Sequence, residues 1–388
     1  MNEDKAMRYM FELAQLLLQK NGSDIFITAG SPPAIKVDGI IQRVGDTRLT
    51  PQQTETLVRC IMTDKQIVAF ESSREANFSL NYPDVARFRV SAFKQRGSMG
   101  MVLRLIKSHI PTLEELNLPP LLKDIAMAKR GLVTFLGGTG CGKSTSLASM
   151  IDHRNSQGNE HIITIEDPIE FFHRHKQCLV NQREVGVDSE SYEIALKNTL
   201  RQAPNVILIG EIRDRATMEY AISFAETGHL CLSTLHANNT DQAFDRIINF
   251  FSPERRQQVL MDLAFNMKAF ISQRLIPRLD GSGLIPAVEI LLNTPLMADL
   301  IFQGKITEIK PLMHRSSEQG IQTFDQALFD LYEAGRISYE SALRYADSLN
   351  NLRLRIKLES QRPLPKELAG RGDEFRLQGD SEDAQQWL

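Results

Sequence analysis

Apolar residues recur at helical spacing over residues 4–20, where Met7, Met10, Phe11, Ala14, Leu17 and Leu18 precede an Asn21-Gly22 stop. The runs DIFIT, AIKV and IIQRV follow, the last two joined by Asp38-Gly39, and predict a strand and a hairpin. A helix is expected after Pro51, with Leu57, Val58 and Ile61 on one face. Two alternating runs, ARFRVSAF and MGMVLRLI, flank KQRGS and complete a small α+β domain over residues 1–107. Pro111, Pro119 and Pro120 then punctuate a linker at 108–129, where Leu113, Leu116 and Leu118 can pack between domains.

From Arg130 the pattern changes. Short apolar runs, LVTFL, HIITI, NVILI and HLCLST, alternate with helical segments, as in βαβ units around a mostly parallel, buried sheet. Two or three further helices are expected between Asp241 and Ile276, then a strand at PAVEILL, which closes a core domain at 130–292. Residues 293–358 form a helical C-terminal region, with Thr323–Leu358 as a bundle. The segment 359–388, rich in Pro, Gly, Asp, Glu and Gln, has little to bury and is expected to be disordered. No internal repeat is present.

Composition narrows the class. The 388 residues allow two domains and a tail, and 42% hydrophobic with 24% charged residues is ordinary for a soluble protein. The net charge of −3, from 45 basic and 48 acidic residues, argues against a nucleic-acid binder. Cys60, Cys141, Cys178 and Cys231 form no C-x-x-C pair, which fits a reducing cytosol better than a zinc ribbon or disulfide framework. MNEDKAMRYM does not read as a signal peptide, and no stretch reaches the roughly 18 apolar residues of a membrane span. A membrane role would therefore come through a partner.

The strongest chemical signal is Gly137, Gly138, Thr139, Gly140, Cys141, Gly142, Lys143, Ser144 and Thr145, directly after LVTFL and before a helix. It matches G-x-x-x-x-G-K-[ST] in the strand–loop–helix context of a P-loop. Glycines let backbone N–H groups face phosphate oxygens, and the helix N-terminus adds positive potential. Lys143 would neutralise the β- and γ-phosphates of ATP and Ser144 would ligate Mg²⁺.

In NVILIGEIRD the expected Mg²⁺-linked acid of a P-loop fold falls on Gly210, so Glu211 must serve, directly or through water. In ITIEDPIEFF, Glu166, Asp167 and Glu170 sit at a strand end, where a carboxylate can orient and deprotonate the attacking water. Pro168 should fix the turn that aims Glu170. In TGHLCLSTLHANN, His229 and His236 bracket a strand; either could sense the γ-phosphate or bridge neighbouring elements. Spacing does not support zinc there. Arg87, Arg89, Arg96 and Arg104 could bring positive charge to a γ-phosphate or pair with surface carboxylates.

These four motifs, in this order and spacing, resemble the secretion-ATPase superfamily of type II and IV systems, and within it the PilT/PilU retraction ATPases of type IV pili. The resemblance spans residues 5–358. It implies a RecA-like P-loop core, an N-terminal PAS-like domain, a hexameric ring, and ATP bound between the two domains. It also implies that Glu170 is the catalytic glutamate, Glu211 the Walker B glutamate, His229 and His236 the His box, and Arg89 and Arg104 phosphate-contacting arginines. The N-terminal extension and four-cysteine insert of assembly-type relatives are missing, as is the PilT-like motif AIRNLIRE. ALRYADSLNNLRLRIKLES stands in its region and resembles PilU, the accessory branch. The implied function is ATP hydrolysis driving or assisting pilus retraction. The implied partners are further copies in the ring, a paralogous retraction ATPase and an inner-membrane platform protein, at the cytoplasmic side of the pilus base. A nucleotide-dependent scaffold and a RecA-like nucleic-acid motor are the competing readings.

Overall fold

Helix α1 (Glu3–Gln19) starts where the Asn2 side chain accepts the Lys5 N–H at 3.1 Å, with Glu3 and Asp4 complementing the helix dipole. Its buried stripe is Ala6, Met10, Leu13, Ala14 and Leu17, whereas Met7 is exposed. Sealing a leucine such as Leu17 contributes about 2 kcal/mol. The computed structural model describes residues 2–83, 85–106, 109–316 and 319–363. Two compact units emerge, Met1–Pro111 with Ile151–Gly210, and Thr112–Met150 with Glu211–Leu388.

In the first unit α1 is followed by β1 (Asp24–Ile27), β2 (Ala34–Val37), β3 (Ile40–Arg43), α2 (Pro51–Arg59), α3 (Asp64–Ser73), β4 (Glu75–Tyr82), β5 (Ala86–Gln95) and β6 (Ser98–Ile106). A Thr50–Gln53 capping box opens α2 and explains its start at Pro51. The β5–β6 hairpin turns on Arg96-Gly97, both at positive φ (45° and 76°), as a two-residue primed turn requires. The strands form one antiparallel sheet in the order β3-β2-β1-β6-β5-β4. The helices cover a core that includes Met10, Leu17, Ile25, Phe70, Phe88 and Leu103.

The chain continues through α4 (Leu121–Ala126), β7 (Gly131–Leu136), α5 (Lys143–Gln157), β8 (His161–Glu166), β9 (Leu179–Glu184), α6 (Tyr192–Thr199), β10 (Val206–Ile209), α7 (Arg215–Glu226) and β11 (Leu230–Leu235). The expected linker thus contains a helix, with Leu113 and Leu118 buried. In the first unit β8 pairs in parallel with β10 and β9. In the second, β7 pairs in parallel with β11 and with β12 (Met267–Pro277), and β13 (Leu284–Leu292) is antiparallel to β12. Between β11 and β12 lie α8 (Thr240–Asn249) and α9 (Arg256–Asn266). The fold is α/β, with mixed sheets.

The helical reading of 241–276 ends at Asn266, because Met267–Pro277 is a strand. It is held on both sides, so most of its positions are buried and no period of two marks it. Strands β4 and β9 escaped prediction for the opposite reason: their residues are mostly polar and only partly buried.

The C-terminal helices are α10 (Pro295–Phe302), α11 (Ile309–Arg315), α12 (Phe324–Glu333), α13 (Tyr339–Tyr345) and α14 (Leu349–Glu359). Phe324, Leu328, Tyr332, Leu352 and Ile356 pack with Ile276 and Ile285. The start of the expected disordered tail is bonded. Gln361 N–H reaches Glu333 at 3.0 Å, and the Arg362 guanidinium lies 4.5 Å from the Tyr332 ring centroid. The rest of that tail, from 364, lies outside the described residues, as do Lys107 and Ser108 at the expected domain–linker junction. Among the described residues no helix is long and apolar enough to cross a membrane.

Candidate active site

The phosphate loop joins the end of β7 to the start of α5. Gly137 has φ +150°, and a Cβ there would stand 2.3 Å from Cys141 Sγ. Gly142 has φ +93°, and its Cβ would meet Gln273 Nε2 at 2.6 Å. Only glycine fits either place. Around Gly138 and Gly140, by contrast, nothing lies within 4 Å of a built Cβ. The loop is therefore closed on one side and open on the other, where Gly138, Thr139 and Gly140 are exposed. Lys143 is 8% exposed and donates from Nζ to the Gly137 and Gly138 carbonyls at 2.8 and 2.9 Å. Ser144 and Thr145 lie in the first turn of α5, where N–H groups have no intrahelical acceptor. An open cradle, a held ammonium and free-pointing N–H groups fit a polyphosphate.

Space is tight at Gly210, where the sequence reading expected an acid. A Cβ would stand 3.0 Å from the Tyr192 hydroxyl, 3.2 Å from Glu166 Cα and 3.3 Å from the Ile165 carbonyl. The next residue, Glu211, has an Oε2 that takes Arg213 Nε at 2.7 Å and an Oε1 that lies 3.0 Å from His236 Nε2. His236 follows the Leu235–Leu136 pair, at the same end of the strands as the phosphate loop. His229 precedes β11, about 20 Å away at the rise of an extended chain. There its Nδ1 lies 3.2 Å from the Phe224 carbonyl and 3.1 Å from Thr227 Oγ1. The two histidines of the motif are thus separated, and only His236 joins Glu211.

In the first unit, the turn after β8 is gripped by two carboxylates. Glu166 Oε1 accepts from Thr164 Oγ1 at 2.6 Å and from Gln182 Nε2 at 3.2 Å, and the Glu166 carboxylate also takes the Glu170 N–H. Glu184 Oε2 takes the Ile169 N–H at 3.2 Å. The Asp167–Pro168 peptide is cis. Glu170 itself is exposed, presented on a turn whose backbone is fixed from behind. Burial pushes Glu166 up to about 7 against its three hydrogen bonds. Burial also raises Glu184, opposed by the Ile169 N–H and by the charges of Arg87 and Arg89.

The Glu166 shift gives a stability prediction. Its folded pKa lies above the unfolded one, so its contribution is fully present below about pH 4.3 and is lost as pH rises through about 7. Glu166→Gln keeps an acceptor for Thr164 and Gln182 without the ionisation. At pH 8 the variant should be more stable by about 3 kcal/mol, and near pH 4.5 it should fall within about 1 kcal/mol of the parent, as urea unfolding at the two pH values will show.

Arg89 and Arg104 face each other across β5 and β6. The buried Asp24 carboxylate takes Arg104 Nε at 2.8 Å and offsets this like-charge pair, while the Arg104 side chain stays 69% exposed. Arg87 lies 5.9 Å from the Phe172 ring centroid, and Arg96 occupies the hairpin turn. Sequence reasoning missed Glu184, which sits in a polar strand at a sheet edge, and Gln273, which lies in the strand taken for a helix. Neither carries a motif.

The sequence profile of the family described as "Type II/IV secretion system protein" matches residues 2–298. The type IV pilus ATPase PilU of Pseudomonas aeruginosa is 58% identical over 350 residues, covering 90% of this chain and 92% of that protein. The type IV pilus retractation ATPase PilT of the same organism is 41% identical over 331 residues, covering 85% and 96%. The crystal structure of the pilus retraction motor PilT with bound ADP matches with a TM-score of 0.82 at 40% identity, over 88% of this chain and 97% of that one.

Proposed function

Because the chain belongs to the type II/IV secretion system protein family, we propose that it is an ATP-hydrolysing motor that drives or assists type IV pilus retraction. The observation that carries this reading is a complete phosphate loop in a chain 58% identical to a type IV pilus ATPase. Lys143 leaves its loop carbonyls for the β- and γ-phosphate oxygens, and the first turn of α5 directs N–H groups at them. Mg²⁺ would be held by Ser144 Oγ and, directly or through water, by Glu211, and would supply charge neutralisation between the phosphates. Glu170 takes the proton of the attacking water. His236 and Arg213 hold the Glu211 carboxylate in place. Arg89 and Arg104 bring positive charge to the phosphates, and His229 anchors the start of β11.

In this reading the parallel strands and their helices are a RecA-like core, the antiparallel sheet is a PAS-like domain, and the chain works as a six-membered ring. The ring would sit on the cytoplasmic face of the inner membrane, against a platform protein and beside a paralogous retraction ATPase. The near-neutral charge opposes a nucleic-acid motor. Deleting the gene in a piliated host should abolish twitching and leave surplus surface pili. Loss of all pili would instead indicate assembly. Restoration of motility by a Glu170→Gln chain that has lost ATP hydrolysis would indicate a scaffold.

A further inference from the structure

Successive side chains of a strand point to opposite faces, and in β12 the two faces have different tasks. Arg274 points to the C-terminal helices. Its Nη1 reaches the Tyr345 carbonyl and its Nη2 reaches Asp347, both at 2.6 Å, and its guanidinium lies 3.9 Å from the Phe324 ring centroid. Gln273 points to the phosphate loop and is 4% exposed. Its Oε1 accepts from Ser146 Oγ at 2.7 Å, and its Nε2 donates to the Cys141 carbonyl at 2.8 Å. Because a carbonyl can only accept, the Cys141 contact fixes which end of the amide carries nitrogen.

This second bond has a consequence for phosphate recognition. In a planar trans peptide, the C=O of Cys141 and the N–H of Gly142 point in opposite directions. Holding the carbonyl down on Gln273 turns the Gly142 N–H away from the strand. Released, the peptide could rotate and present an oxygen to the anion instead. The two close approaches that demand glycine, at 137 and 142, are also approaches to Gln273, whose carbonyl oxygen would lie 3.0 Å from a Cβ on Gly137.

We propose that Gln273 is a positioning residue for ATP hydrolysis, its side-chain amide setting the direction of the phosphate-loop peptides. The inference rests on the reading of this loop as the ATP site. Gln273→Glu is the informative variant. It keeps the shape and the acceptor for Ser146, but when ionised it cannot donate to Cys141; when protonated it can again. The titratable groups beside it on the loop are Lys143 and the Cys141 thiol, while Arg274 and Glu289 lie on the opposite face of the β12–β13 pair. Comparison with the parent at each pH removes their contribution, and Gln273→Ala, which adds no charge, separates the lost donor from repulsion between a new carboxylate and the phosphates.

Calorimetric titration of the full chain with ATP and Mg²⁺, from pH 5.5 to 8.5, tests the proposal. At pH 8, Gln273→Glu should bind at least about tenfold more weakly than the parent, the gap closing as pH falls, while Gln273→Ala should stay about tenfold weaker throughout. Parent-like affinity, or a gap for Gln273→Glu that ignores pH, would overturn it. Should these variants fail to fold, Ser146→Ala removes only the Oε1 bond and must weaken binding by about threefold; unchanged affinity overturns the proposal. If the parent chain itself binds no ATP, the ATP-site reading fails and takes this proposal with it; binding by the parent with unaffected variants overturns the proposal alone.

Discussion

Replacing Glu170 with glutamine should lower kcat for ATP hydrolysis by about 10²- to 10⁴-fold and leave ATP affinity within about threefold, because general-base catalysis contributes on that scale. Glu170 is exposed, and its backbone is held by Glu166 behind it, so glutamine should occupy the same place without accepting a proton. Steady-state hydrolysis alongside ATP titration separates the two effects. Near-parental kcat would remove Glu170 as the base, and Glu166, with its pKa raised to about 7, would become the next carboxylate to examine. The stability gain expected for Glu166→Gln is independent of this outcome, since it concerns folding.

A loss of similar size is expected for Lys143→Ala. The ammonium sits between the Gly137 and Gly138 carbonyls and is the cation built into the loop itself. Removing it takes away ground-state attraction to the phosphates and stabilisation of the charge that develops on transfer. Losing one such donor costs about 3–4 kcal/mol in the transition state, so kcat/KM should fall by about 10²- to 10³-fold. Lys143→Arg should not restore activity, because a planar fork cannot take the place of a compact ammonium on a narrow loop. The melting temperature without nucleotide should stay near the parent value, as the bonds given up are only to loop carbonyls.

How much of this was legible in the sequence follows from how local each feature is. The phosphate loop is contiguous, and each glycine, the lysine and the hydroxyls carry their chemistry in their identity, so the whole element could be read from nine residues. Glu211 stood out in the sequence as the acid next to a glycine at the strand end, but the crowding at that glycine did not. Tyr192, Glu166 and Ile165 crowd Gly210, and only the folded chain brings them together. The carboxylates of 166–170 were recognisable as a set, yet their different settings were not: Glu166 is closed in by Thr164 and Gln182, while Glu170 is exposed.

His229 and His236 look like a pair in one motif, but six strand residues between them place them at opposite ends of β11. Gln273 was hidden by the same misreading that made β12 a helix, since a strand buried on both faces carries no alternation. Glu184 lies in an edge strand whose polar residues resemble a loop. Arg89 and Arg104 are fifteen positions apart in sequence, and hairpin register makes them neighbours.

The central claim is that the loop around Lys143 holds the phosphates of ATP. Titration of the purified full chain with ATP in the presence of Mg²⁺ tests it most directly. Saturable binding of one nucleotide per chain, sharply weakened by Lys143→Ala, is the predicted result. Absence of measurable binding by the parent chain, or equal binding by the variant, would contradict it.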